Sequence, residues 1–301
     1  MSVLCVGLDV AWFGGSAGNP ESQYDCVASV VMSAEGPSQF HLERIHLVER
    51  DADANQLWNY LQGLFAQVGP DTRIVFAIDA PLQAAGHTGL PAVRASHGGA
   101  IERRACENVL EHSRKAIDDA AGGSDGWRPN IQPGAPIAPR VLQLLHHLGQ
   151  AGFAVWTAQQ ADARRLAIEV FPAEAIWAAK RQGGYPAQLT APEVKQYKSK
   201  DIKGQSLTSA DINTLANRVL SGFTPILPPE VQWSALISQA GGWLTADGVN
   251  HGGKLLDDAV DTMICLATAL SYAGGHYHVW QDQANPADGH IIGPGGKLPI
   301  S

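Results

Sequence analysis

Apolar and polar residues follow one another along this chain in two rhythms, and their order predicts most of its elements. Residues 3–10 are apolar at consecutive positions and predict a buried strand. Residues 24–33 predict a second. Residues 38–48, where Phe40, Leu42, Ile45 and Leu47 alternate with polar neighbours, predict a third. The Gly/Asn/Pro-rich stretch Ala11–Ser22 predicts a turn between the first two. Residues 52–67 carry Leu57, Tyr60, Leu61, Leu64 and Phe65 at helical spacing, and residues 73–79 form another buried strand. The order strand, strand, strand, helix, strand suggests a three-stranded antiparallel meander followed by a parallel crossover.

Residues 83–140 read as an excursion, with a helix within Ala100–Ala120 and an irregular Gly/Pro-rich stretch over 122–139. A helix over 140–151 follows (Val141, Leu144, Leu145, Leu148), ended by Gly152. A short strand is expected at Phe153–Trp156 and another at Leu166–Phe171, stopped by Pro172. Helices are expected at 173–181, 207–221, 229–240 and 254–273, and tail strands at His276–Trp280 and His290–Ile292. No repeat of 20–50 residues is visible. The pattern predicts an α/β fold, a mixed sheet with helices on both faces.

Two buried strands each end in a lone aspartate: Val3-Leu4-Cys5-Val6-Gly7-Leu8-Asp9 and Ile74-Val75-Phe76-Ala77-Ile78-Asp79. With a right-handed crossover they become parallel neighbours, and both carboxylates leave the sheet at the edge where α/β folds place ligands. A third acidic group, Asp257-Asp258-Ala259-Val260-Asp261, opens the apolar helix at 254–273. Carboxylates this near a core are costly unless paired, hydrogen-bonded or bound to a cation. Each has an ordinary alternative: Asp9 and Asp79 as turn-initiating residues, Asp257 and Asp258 as helix caps. Asp261 lies a turn further in, between Val260 and Met263, and fits capping poorly. Together the acids suggest a shared site for Mg²⁺ or Mn²⁺, since hard oxygen donors favour those ions over zinc. Paired ions of that kind activate water in phosphodiester hydrolysis.

Composition narrows this reading. The net charge of −8 argues against a broad basic surface coating nucleic acid, though not against an enzyme gripping it locally. No apolar stretch reaches the roughly 18 residues of a membrane span, and no secretion signal is read at the start. Cys5, Cys26, Cys106 and Cys265 lie far apart, without zinc or disulfide spacing, so the cytoplasm is the expected compartment. Gly14-Gly15-Ser16-Ala17-Gly18 matches a nucleophile-elbow pattern but precedes a strand, not the required helix. His276 and His278 lack a clear third ligand, and no P-loop is present.

The chain resembles the DUF429 group of predicted RNase H-like nucleases. The matching pieces are Gly7-Leu8-Asp9, Ala77-Ile78-Asp79-Ala80-Pro81-Leu82, Arg104-Ala105-Cys106-Glu107, Glu169-Val170-Phe171-Pro172-Ala173, Tyr197-Lys198 and Leu256-Asp257-Asp258-Ala259-Val260-Asp261. They occur in the family's order and span nearly the whole chain. The pair Asp258-x-x-Asp261 also resembles the late-helix acids of RuvC-type junction resolvases. The resemblance implies one RNase H-like domain with a five-stranded mixed sheet, an inserted excursion at 83–140 and a helical insertion at 173–250. It implies a metal-dependent nuclease in which Asp9, Asp79, Asp258 and Asp261 hold the metal and nucleic acid is the substrate.

In that scheme Glu169 takes the place of the family's strand-end glutamate, as a further ligand or as a base for the attacking water. Its ordinary alternative is an edge carboxylate paired with an arginine. The resemblance likewise turns Arg104 towards a phosphate, against a surface ion pair with Glu107. Lys198 belongs to the densest basic run (Lys195, Lys198, Lys200, Lys203, with Tyr197), which tracks a phosphate backbone or is a solvated loop. Trp12 and Trp127 are candidates to stack on bases. Two other functions fit the same sequence: an actin-like phosphotransferase or ATPase using Asp9 and the glycines that follow, and a non-catalytic binding protein retaining the fold.

Overall fold

A strand that is apolar on both faces can only sit inside a sheet with both faces covered. Val3–Asp9 (β1) does so: its five inner residues are buried and only the two end residues are partly exposed. In the computed structural model it lies between an antiparallel neighbour, Tyr24–Ser33 (β2), and a parallel one, Arg73–Asp79 (β4). Gly36–His46 (β3) pairs antiparallel with the far side of β2, with a register shift between Ser29 and Val31. The structure describes residues 2–10, 24–46, 54–83, 93–94, 100–101, 104–120, 139–186, 209–248, 254–284, 286 and 289–296.

After β3, Asn55–Ala66 (α1) carries the chain to β4. A two-residue ladder, Val93–Arg94 (β5) with Ala100–Ile101 (β6), stands apart. It is followed by Ala105–Ala120 (α2) and Pro139–Gln150 (α3). Two more strands, Ala154–Val155 (β7) and Arg165–Glu169 (β8), join the main sheet in parallel, in the order β3-β2-β1-β4-β8-β7. The sheet therefore has six strands, mixed antiparallel and parallel, where five were expected. The sixth, β7, is an edge strand of two residues, continued by Trp156 N–H donating to Ala167 C=O at 2.9 Å.

Helices Pro172–Arg181 (α4), Ser209–Leu220 (α5), Trp233–Gly248 (α6) and Lys254–Ala273 (α7) follow, with a hairpin of Tyr277–Trp280 (β9) and Ile291–Pro294 (β10). Pro172 ends the strand and also starts α4, where a missing N–H has no cost. The helix expected from 229 begins only at Trp233. Pro229–Val231 forms a single 3₁₀ turn, and Gln232, at φ 51°, takes the left-handed conformation that interrupts helix geometry.

Strand alternation sorts the core into two layers. Leu4, Val6, Leu8, Ile74, Phe76 and Ile78 pack with α1 and α3 on one face. Cys5, Val75, Ala77, Leu166 and Ile168 pack on the other, with α4, α5, α6 and α7. On that second face β1 carries Gly7, and α7 lies directly against it. A Cβ at Gly7 would sit 2.4 Å from both Leu266 N and Thr262 O. Among the described residues, no helix is long and apolar enough to cross a membrane.

Candidate functional site

β1 and β4 run in register from Val3↔Arg73 to Asp9↔Asp79. Parallel neighbours about 4.8 Å apart point equivalent side chains to the same face. Asp9 is two residues beyond Gly7, and Asp79 two beyond Ala77, so alternation directs both carboxylates to the α7 face. Both residues are half-buried, at the point where the strands emerge from the core.

The first turns of α7 lie over this edge. The Thr262 hydroxyl reaches the Asp258 carbonyl at 2.8 Å and the Cys26 carbonyl at 3.1 Å. Cys26 is the β2 partner of Asp9, so this helical turn is anchored beside the end of β1. Asp258 and Asp261, three apart and hence on neighbouring helical positions, are both buried. Asp9, Asp79, Asp258 and Asp261 each take part in further polar or electrostatic contacts. The register thus sets Asp9 and Asp79 side by side at the end of their strands, and the Thr262 bond sets the first turns of α7 beside the end of β1.

Among the described residues, no three His, Cys, Asp or Glu side chains gather as a ready-made metal cage. Mg²⁺ does not require one: it keeps several waters and is held through one or two carboxylates plus substrate phosphates. An in-register pair of strand-end aspartates fits that donor set.

Glu169 and Arg104 stand differently from their expected roles. Glu169, at the end of β8, is 3% exposed, and Arg104 is 4% exposed. Arg104 Nη1 and Nη2 donate to the two Glu169 oxygens at 2.6 and 2.5 Å. Arg104 Nε donates to Glu107 Oε1 at 2.8 Å, Nη2 lies 2.7 Å from the same oxygen, and Nη1 reaches the Gln83 carbonyl at 3.5 Å. All five guanidinium N–H groups therefore face an acceptor within the protein. Glu107 Oε2 also accepts the Arg104 backbone N–H at 3.1 Å, the reach-back of an N3 glutamate at the start of α2. Burial raises the Glu169 pKa above the usual carboxylate value, and the Arg104 guanidinium pulls it back. For Arg104 burial acts downward, but Glu169 and Glu107 outweigh it and hold the guanidinium charged. Among the described residues, both side chains direct their polar atoms to this buried pair, the arrangement of the alternative in which Glu169 is a carboxylate paired with an arginine.

His290 completes the cluster. The tail approaches closely at Gly289, whose φ of 97° suits glycine and whose missing Cβ would stand 3.2 Å from Arg104 Nη1 and Cys106 Sγ. The Glu169 backbone N–H donates to His290 Nε2 at 3.5 Å, so the ring proton is on Nδ1, which donates to Gln83 Oε1 at 3.3 Å. Burial, then the Arg104 charge, pushes the His290 pKa down from 6.5 to about 3.

Between those two values the unfolded chain binds a proton that the folded chain refuses. The contribution of His290 is therefore fully present above about pH 6.5 and falls by about 1.4 kcal/mol per pH unit below it. Urea denaturation of His290→Gln should show a shallower loss than the parent, by up to about 2 kcal/mol between about pH 6.5 and 5. Equal slopes would mean that His290 is charged in the folded chain.

Two further buried polar groups carried no sequence signal. Asp25 on β2, one residue from Cys26, accepts two bonds from Arg140 of α3 at 2.8 and 2.7 Å. Glu174 of α4 accepts from Trp280 Nε1 at 2.9 Å and faces His278 Nε2 at 2.8 Å, which ties the C-terminal hairpin to the helix layer. His278 is thereby accounted for in packing, and His276 is exposed. Lys198 and its basic run, Trp12, Trp127, the 14–18 glycine stretch and the side chain of Asp257 lie outside the described residues. Comparison with protein-family models, with curated proteins and with solved structures finds no match for the chain.

Proposed function

We propose that the chain is a metal-dependent phosphodiesterase of RNase H-like type that hydrolyses nucleic acid. The observation that carries this reading is the Asp9↔Asp79 register on one sheet edge, with the acidic turn of α7 anchored beside it. The order of the first five elements and the resemblance to the DUF429 nucleases point the same way. Asp9 and Asp79 would hold Mg²⁺ or Mn²⁺, with Asp258 and Asp261 on the helix side. The bound ion would supply a more acidic water and charge neutralisation at the phosphoryl oxygens. The protein's part is to keep the carboxylates ionised and aligned, so that water can attack phosphorus opposite the departing ester oxygen. Glu169, closed off by Arg104, has no part in proton transfer in this scheme.

The test is Mn²⁺ titration of the purified chain, followed by cleavage of labelled single- and double-stranded DNA and RNA. Asp9→Asn and Asp79→Asn each remove a ligand charge while keeping the side-chain shape. Each should weaken Mn²⁺ binding by at least about tenfold and reduce cleavage by at least about a hundredfold, with far-UV spectra unchanged. Unaltered cleavage in either variant would remove the assignment.

A further inference from the structure

Glu169 is buried, both its oxygens accept hydrogen bonds, and it ends the strand that pairs with β4, the strand of Asp79. The β4–β8 register ends at Ile78↔Glu169, and the last backbone bond runs from Val170 N–H to the Ile78 carbonyl at 2.9 Å. That register thus stops one residue short of Asp79, whose ladder partner on the other side is Asp9 of β1. Beyond it the ladder is replaced by side chains. Glu169 Oε2 accepts the Leu82 N–H at 3.0 Å, Arg104 reaches the Gln83 carbonyl, and His290 holds the Gln83 amide. Asp79, Ala80 and Pro81 are tethered on both sides, by a strand bond at 78 and by this buried cluster at 82–83. Ala80 and Leu82 are themselves 3% and 4% exposed, so the turn is packed as well as bonded.

We propose that Glu169, clamped by Arg104, is a positioning residue that fixes the 80–83 turn, and so the orientation of Asp79, and through Asp79 sets the affinity of the site for a divalent cation. This rests on the metal-site reading above. Groups that orient a ligand from behind typically change metal affinity by about 10- to 100-fold when removed. Glu169 acts here through the Leu82 bond to Oε2, so a glutamine that turns its amide oxygen to Leu82 keeps that bond, while its NH2 group gives up the Arg104 Nη2 contact. A ligand or a general base would need the charge.

The experiment measures Mn²⁺ affinity by electron paramagnetic resonance and amide hydrogen exchange over residues 80–83. The variants are Glu169→Ala, Glu169→Gln, Asp79→Asn, Asp9→Asn and the double Asp79→Asn/Glu169→Ala. The expected result is an affinity about tenfold weaker in E169A with faster exchange at Leu82, and a partial return of affinity in E169Q, which keeps the Leu82 acceptor but only one arm of the Arg104 clamp. The double variant should bind no more weakly than D79N, because both changes act through one side chain.

Wild-type affinity in E169A overturns the proposal. So does a loss in E169Q as large as in E169A, or an additive double variant; either would make Glu169 a direct participant. If the parent chain binds no Mn²⁺, with D9N and D79N equally silent, the metal-site reading itself fails, and this pattern is distinct from the others. Should E169A not fold, the same comparison uses Glu169→Met with Arg104→Met and Glu107→Gln. That replaces the buried charges with groups of similar length and still removes the Leu82 acceptor. Undiminished affinity there is equally fatal.

Discussion

Arg104→Ala lowers the stability of the folded chain by about 3–5 kcal/mol, the largest loss expected from any single polar truncation at this edge. The size follows from what remains behind. Glu169 is 3% exposed and Glu107 5% exposed, and both lose their only cation among the bonds described above. A buried carboxylate without a partner must stay charged at high cost or take up a proton. The Gln83 carbonyl also loses its donor, and the tail loses a contact at Gly289. Four chain points meet at this guanidinium: the turn after β4, the start of α2, the end of β8 and the C-terminal tail. Chemical denaturation at pH 7 should show the loss as a lower midpoint with an unchanged slope. The loss should shrink as the pH falls towards 4, because burial already raises the Glu169 pKa and the orphaned carboxyl can take up a proton. A variant within about 1 kcal/mol of the parent would mean that the pair is solvated in the folded chain.

The same cluster marks the boundary of what a single sequence discloses. β1 and β4 are legible because continuous apolar runs have few alternatives, and their common end at aspartate is visible without coordinates. The register Asp9↔Asp79 follows once the crossover is granted. Helix α7 is legible for the same reason: twenty residues, mostly apolar, begin and end where the spacing says. Ion pairs leave no such periodic trace. Arg104 and Glu169 are 65 positions apart, Asp25 and Arg140 are 115, and Glu174 and His278 are 104, with nothing in local spacing to join them. The sequence therefore presents Glu169 as a strand-end acid like Asp9 and Asp79, and only the fold shows its carboxylate closed on Arg104. β7 was legible as a short apolar run, but two residues carry too little pattern to show that it extends the main sheet. The late start of α6 turns on one backbone angle at Gln232, which composition does not signal.

Gly7→Val should prevent stable folding, and Gly7→Ala should already destabilise the chain by about 3 kcal/mol, the upper part of the usual range for an overfilled core. The first atom of any side chain at position 7 would lie 2.4 Å from Leu266 N and Thr262 O and 3.0 Å from the Cys265 carbonyl carbon. These are helix backbone atoms, which cannot rotate aside as a side-chain end would. Relief requires α7 to withdraw from β1 along several residues, and that opens the layer formed by Cys5, Ala77, Val260 and Ile264. Withdrawal would also loosen the Thr262 contact with Cys26 and carry Asp258 and Asp261 away from the strand-end aspartates. Stability and Mn²⁺ affinity should therefore fall together in Gly7→Ala, the second by a separate route from Asp79→Asn. Gly149→Ala is the control: on helix α3, with nothing within 4 Å of the added carbon, it should stabilise the chain by about 0.5–1 kcal/mol. If Gly7→Ala folds with the parent's stability, helix α7 does not rest on β1, and its acids have no anchor beside the ends of the parallel strands.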